Sequence, residues 1–152
     1  MKQILSVFFC TFISFYQLNV SADTDILITD AWINEAPPTV SVLAGYMTIK
    51  NTSQQKIELI NVISKLFSRI EIHLTQMENG MAKMQKQDSL VIPANSEINL
   101  APGSYHLMLI DSKRILVAGD LVPIELMLSN GNAILVNAEV RRLDMQQQHN
   151  HH

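Results

Sequence analysis

Four side chains with metal-binding atoms fall between positions 73 and 108: His73, Met84, His106 and Met108. Ten residues lie between His73 and Met84, twenty-one between Met84 and His106, and one between His106 and Met108. Thioether sulfur is a soft, neutral donor that holds Cu(I) well and holds zinc, magnesium and calcium poorly. Imidazole suits copper in either oxidation state. If the four side chains converge, one Cu(I) ion is the expected occupant. Taken singly, each has an ordinary explanation. A histidine on the polar row of a strand is commonly a solvated surface residue, and a methionine is commonly core filler. The neighbours Lys83, Gln85 and Lys86 argue against a deep apolar position for Met84. Met77 and Met81 read as packing residues, with auxiliary thioether donation as the alternative.

The elements that must position these residues are short strands. Leu66 to Thr75 alternates, with Ile70, Ile72 and Leu74 facing one way and Arg69, Glu71, His73 and Thr75 the other. Glu78-Asn79-Gly80 is a hairpin-type turn, and the return strand places Met84 across from or beside His73. Tyr105 to Ile110 alternates again, so His106 and Met108 project from one face about 6 to 7 Å apart, near enough to chelate one ion. Upstream, Ile26 to Ala36 carries the only tryptophan, Trp32, and ends before Pro37-Pro38. Val40 to Lys50 is apolar in both registers, as in a strand covered on both faces. Asn51 to Gln55 is a polar turn; Asn51-Thr52-Ser53 also matches a glycosylation acceptor, with a plain turn the preferred reading. Ile57 to Ile63, Leu90 to Pro93, Ile98 to Leu100, Leu121 to Leu128 and Ala133 to Val140 complete the strand series, the last two flanking an Asn130-Gly131 turn. No long segment has helical period. The expected fold is an all-β, antiparallel β-sandwich or barrel.

Composition sets the remaining bounds. A chain of 152 residues with a formal net charge of -3 predicts one domain with no strong pull toward nucleic acid. Lys2 followed by an apolar run from Ile4 to Tyr16 and by Val20-Ser21-Ala22 reads as an export signal cleaved after Ala22. The run is short for a membrane span. The single cysteine, Cys10, lies inside that run, so the mature chain has no disulfide, no thiolate ligand and no cysteine nucleophile. A blue-copper electron-transfer site, which needs a cysteine thiolate, is thereby excluded. The expected organisation is a signal over 1–22, a β-sandwich domain over 23–143 and a flexible His-containing tail over 144–152. In that tail His149, His151 and His152, with Met145, form a candidate auxiliary site for Cu(II) or another divalent ion.

The spacing His73-x10-Met84-x21-His106-x-Met108 resembles the signature of the periplasmic PCu(A)C copper chaperones. Glu71-Ile72-His73, Gly80 to Met84, Pro102 to Leu109, Gly119-Asp120 and Val122-Pro123-Ile124 are similar to family segments, in family order. The likeness covers most of residues 25 to 140. It implies a cupredoxin-like Greek-key β-sandwich. It also implies that His73, Met84, His106 and Met108 bind one Cu(I). The cargo would go to the copper centre of cytochrome c oxidase or to an assembly factor serving it. Two positions depart from the family pattern: Ser104 stands where a second glycine is frequent, and Asn34 where an arginine is common.

Three functions compete at this point. A periplasmic copper carrier would release its ion by ligand exchange. A secreted β-sandwich that binds another protein would leave the four residues incidental. An enzyme is the least supported, because no paired carboxylates, nucleophile motif or phosphate loop accompanies the cluster.

Overall fold

The computed structural model describes residues 25–142. The expected signal over 1–22 and the tail histidines lie outside the described residues. The chain runs through β1 (Ile26–Asn34), β2 (Val42–Asn51), β3 (Ile57–Ile63), β4 (Phe67–Glu78) and β5 (Met81–Gln87). It continues through β6 (Leu90–Ile92), β7 (Ser96–Leu100), β8 (Tyr105–Ser112), β9 (Leu121–Leu128) and β10 (Ala133–Arg141). Among the described residues there is no helix.

Hydrogen bonding links the strands in the order β5-β4-β8-β2-β1-β10-β9-β3-β6, with β7 also on β2. Strands from both halves of this path contribute to one core. Ile33, Ile49, Leu59, Ile92, Leu107, Leu109, Val122 and Leu126 all belong to it and are fully buried. The expectation of an antiparallel arrangement holds for every pair except β1 and β10, which run parallel with Trp32 beside Glu139. These two strands stand at opposite ends of the described chain, so no tight turn dictates their direction.

β2 is the strand that the doubly apolar sequence implies. It pairs with β1 along one edge and with β8 and β7 in turn along the other. A Cβ on Gly45 would lie 2.9 Å from Leu109 Cδ1, so the missing side chain lets β2 lie close over the β8 core residue. At the end of β2, Asn51 is fully buried. Its Nδ2 lies 2.8 Å from the Gln55 carbonyl, 3.1 Å from that of Ile92 and 3.0 Å from that of Pro93. Its Oδ1 accepts from the Ser53 N–H and hydroxyl. The amide is therefore a structural tie between two loops, and the glycosylation pattern has no accessible nitrogen.

The β4–β5 hairpin carries the candidate site outward. Asn79 and Gly80 have φ of 51° and 79°, the two positive values that an Asn-Gly turn of the tightest hairpin class requires. β8 covers β4 only as far as Leu74, which faces Tyr105. Beyond that point β4 and β5 continue as a two-stranded arm, exposed on both faces around the turn.

Candidate metal centre

Register decides which side chains share a face. In an antiparallel pair, residues directly opposite each other project to the same side, and alternate residues along a strand do likewise. His73 stands opposite His106, and Glu71 opposite Met108, across β4 and β8. Met84 stands opposite Thr75 across β4 and β5, while the partner of His73 itself is Lys86. His73, Met84, His106 and Met108 therefore lie on one face of three adjacent strands. Met84 is beside His73 rather than across from it.

The two imidazoles are held in defined orientations. Their ring centroids are 5.9 Å apart. His106 Nδ1 lies 3.0 Å from the Ser104 carbonyl oxygen. A carbonyl only accepts, so Nδ1 carries the proton and Nε2 keeps its lone pair. His73 Nε2 lies 3.0 Å from Glu71 Oε2. With the proton donated to that carboxylate, the lone pair of His73 is on Nδ1. That atom is buried and has no hydrogen-bond partner. A buried nitrogen lone pair left without a donor is costly unless something fills the position. Imidazoles whose second nitrogen is tied to a carboxylate or a carbonyl are the usual form of metal-ligating histidine.

Glu71 is the residue that sequence reasoning left without a role. Its Oε1 accepts from Lys86 at 3.0 Å and Arg69 at 3.2 Å, and its Oε2 faces His73. The His73 hydrogen bond, then that of Lys86, hold its carboxyl down to about 2. The signal was available: Glu71 lies two residues before His73, hence on the same face. The other support, the Ser104 carbonyl, also accepts the Thr75 N–H. Because it is a main-chain group, the departure from glycine at Ser104 leaves it intact. Asn34 lies beside Arg141 on the β1–β10 seam, two strands beyond β8.

Exposure divides the four candidates. His106 is 4% exposed and the His73 side chain 13%, whereas Met84 is 60% exposed. His73 is thus far more enclosed than its polar strand face implies, and Met84 is the accessible member. Met84, His106 and Met108 line a cavity of about 200 Å³ together with Ala44, Tyr46 and Gly103. Burial pushes the Tyr46 phenol up, and its ring lies 4.5 Å from that of Trp32, between centroids. Among the described residues no group of three or more His, Cys, Asp and Glu side chains is placed to hold a metal ion. The soft donors on this face are the sulfurs of Met84 and Met108.

The LpqE-like lipoprotein family profile matches residues 26–140. A protein of Rickettsia prowazekii, RP573, is 37% identical over 102 residues, covering 66% of this chain and 56% of that protein. This chain thus spans little more than half the length of that relative. The solution structure of CuI-DR1885 from Deinococcus radiodurans superposes with a TM-score of 0.65 at 31% identity, covering 82% of this chain and 83% of that one. The copper-bound PCuAC domain from PmoF2 superposes with a TM-score of 0.68 at 21% identity, covering 78% of this chain and 94% of that domain. The all-β architecture is that of the cupredoxin-like PCuAC domains.

Proposed function

We propose that this chain, which belongs to the LpqE-like family, is an exported carrier of copper, with Cu(I) as its cargo. The observation that carries the reading is the pair of oriented imidazoles on a face that also holds Met84 and Met108, with the His73 Nδ1 lone pair buried and unpartnered. Two of the structural relatives hold copper, CuI-DR1885 as Cu(I), which supports the reading.

In this reading His73 Nδ1, His106 Nε2 and the sulfurs of Met84 and Met108 are the ligands. All four donors are neutral, so one positive charge is spread over the site and Cu(II) is disfavoured. Glu71 and the Ser104 carbonyl fix the rings. Met84, on the outermost strand, is where an acceptor's ligand enters first, so delivery proceeds by successive ligand exchange without a change of oxidation state. The recipient we propose is the copper centre of cytochrome c oxidase or an assembly factor serving it. Residues 1–22 act as the export signal and the working compartment is the periplasm; the family's lipoprotein name supports export alone, because cleavage after Ala22 leaves no cysteine to carry a lipid. His149, His151, His152 and Met145 serve as a second, Cu(II)-capturing site. X-ray absorption of the Cu(I)-loaded chain tests the ligand set. Mixed sulfur and imidazole scattering, with the sulfur contribution lost in Met84→Leu/Met108→Leu, is the expected result. An unaltered spectrum in that variant rejects it.

A further inference from the structure

The exposed methionines of the hairpin arm are not packing residues. Met77 is 69% exposed and Met81 71% exposed, so neither fills a core. They differ in the side they occupy. Met77 is four residues after His73 on β4 and faces Ala82, two residues before Met84 on β5. It therefore shares the face of His73 and Met84. Met81 faces Glu78 and projects to the opposite side.

Met77 and Met84 are diagonal neighbours across the β4–β5 pair. Such residues have Cα atoms about 7–8 Å apart, within reach of long side chains. Thr75, opposite Met84, separates Met77 from His73 along β4. The order on this face is thus the His73–His106 pair, then Met84, then Met77 at the tip of an arm that β8 no longer covers. The thioethers run from the enclosed imidazoles toward solvent, ending where a partner has access from both sides.

We propose that Met77 and Met84 form an outer two-thioether station for Cu(I), occupied in transit between solvent or partner and the enclosed site. This rests on the copper-carrier reading given above. Met84 stays bound while the His73, His106 and Met108 bonds are exchanged for one to Met77. No electron or proton moves, because every donor is neutral and the ion remains Cu(I). Two thioethers hold the ion less well than the full set, so the station changes rates and not the resting affinity.

The test compares the full chain with Met77→Leu and Met81→Leu, loaded with Cu(I) under anaerobic conditions. Release to a chromogenic Cu(I) chelator is followed by stopped flow, and affinity is measured by equilibrium competition. Leucine keeps bulk and removes the sulfur, and neither site contacts the core. Met77→Leu is expected to slow release and capture alike by several-fold, with affinity within about twofold of wild type. Met81→Leu is expected to change neither. Unchanged rates in Met77→Leu, or equal slowing in both variants, overturn the station and leave the carrier reading intact. A wild-type chain that takes up no Cu(I) overturns both.

Discussion

His73 and His106 stand directly opposite each other on β4 and β8, and each is aimed by a partner that leaves a different nitrogen free. Glu71 holds His73 by Nε2 and the Ser104 carbonyl holds His106 by Nδ1. The free positions are therefore His73 Nδ1 and His106 Nε2. One orienting group is a side chain and is open to substitution, while the other is main chain and is not. The consequences are asymmetric.

Removing Glu71 should loosen copper without emptying the site. Outer partners of metal-bound histidine commonly contribute about 10–100-fold in affinity. Glu71→Ala is expected to weaken Cu(I) binding within that range while His106→Ala, which deletes a proposed ligand, weakens it further. Competition titration of the two variants checks the order. Equal affinity in Glu71→Ala and wild type would show that His73 needs no orienting partner.

Glu71 also sets an acid dependence. Its carboxyl is held at about 2 from an ordinary 4.5, first by His73 and then by Lys86. A carboxyl lowered on folding contributes stability that is fully present above the unfolded value and is lost as pH falls through the folded one. The apo protein should therefore lose this contribution between pH 4.5 and about 2. Glu71→Gln should flatten the acid limb of the unfolding profile in that window. Its effect is modest because the group is partly solvated and screened. Superimposable wild-type and variant profiles there would contradict the assignment.

Asn51 is expected to matter for stability and not for copper. Its amide faces three main-chain carbonyls from a fully buried position. Asn51→Asp replaces the donating nitrogen by an oxygen that only accepts, leaving those carbonyls unmatched. Such losses cost about 1–3 kcal/mol, more where a charge is buried. Chemical denaturation should show the drop, with Cu(I) affinity of the folded fraction unchanged. A variant as stable as wild type would mean that the loops hold without this tie.

Much of this was legible in the sequence because local chemistry dictated it. The Asn79-Gly80 turn and the alternation around His73 fixed the hairpin and the face. The strands Ile57–Ile63 and Leu121–Leu128 end where their apolar patterns end. Non-local pairing was not legible. Nothing in β1 or β10 announces that they run parallel, and β8 reaches its place between β4 and β2 only through tertiary packing. The depth of His106 was hidden for the same reason: alternation puts it on one face of β8 with Met108 and Ile110, but the flanking strands β4 and β2 are distant in sequence. Met77 and Met81 read as packing because methionine usually packs, and only the arm's projection past β8 leaves them exposed.

In the proposed function the two thioethers and the two imidazoles form one Cu(I) site. The most direct measurement is anaerobic Cu(I) titration against a chromogenic chelator. The chain carries His149→Asn, His151→Asn and His152→Asn to silence the tail. One tightly held equivalent is expected, lost when Met84→Ala and Met108→Ala are added together. Affinity that survives both changes, or no uptake by the parent chain, would contradict it.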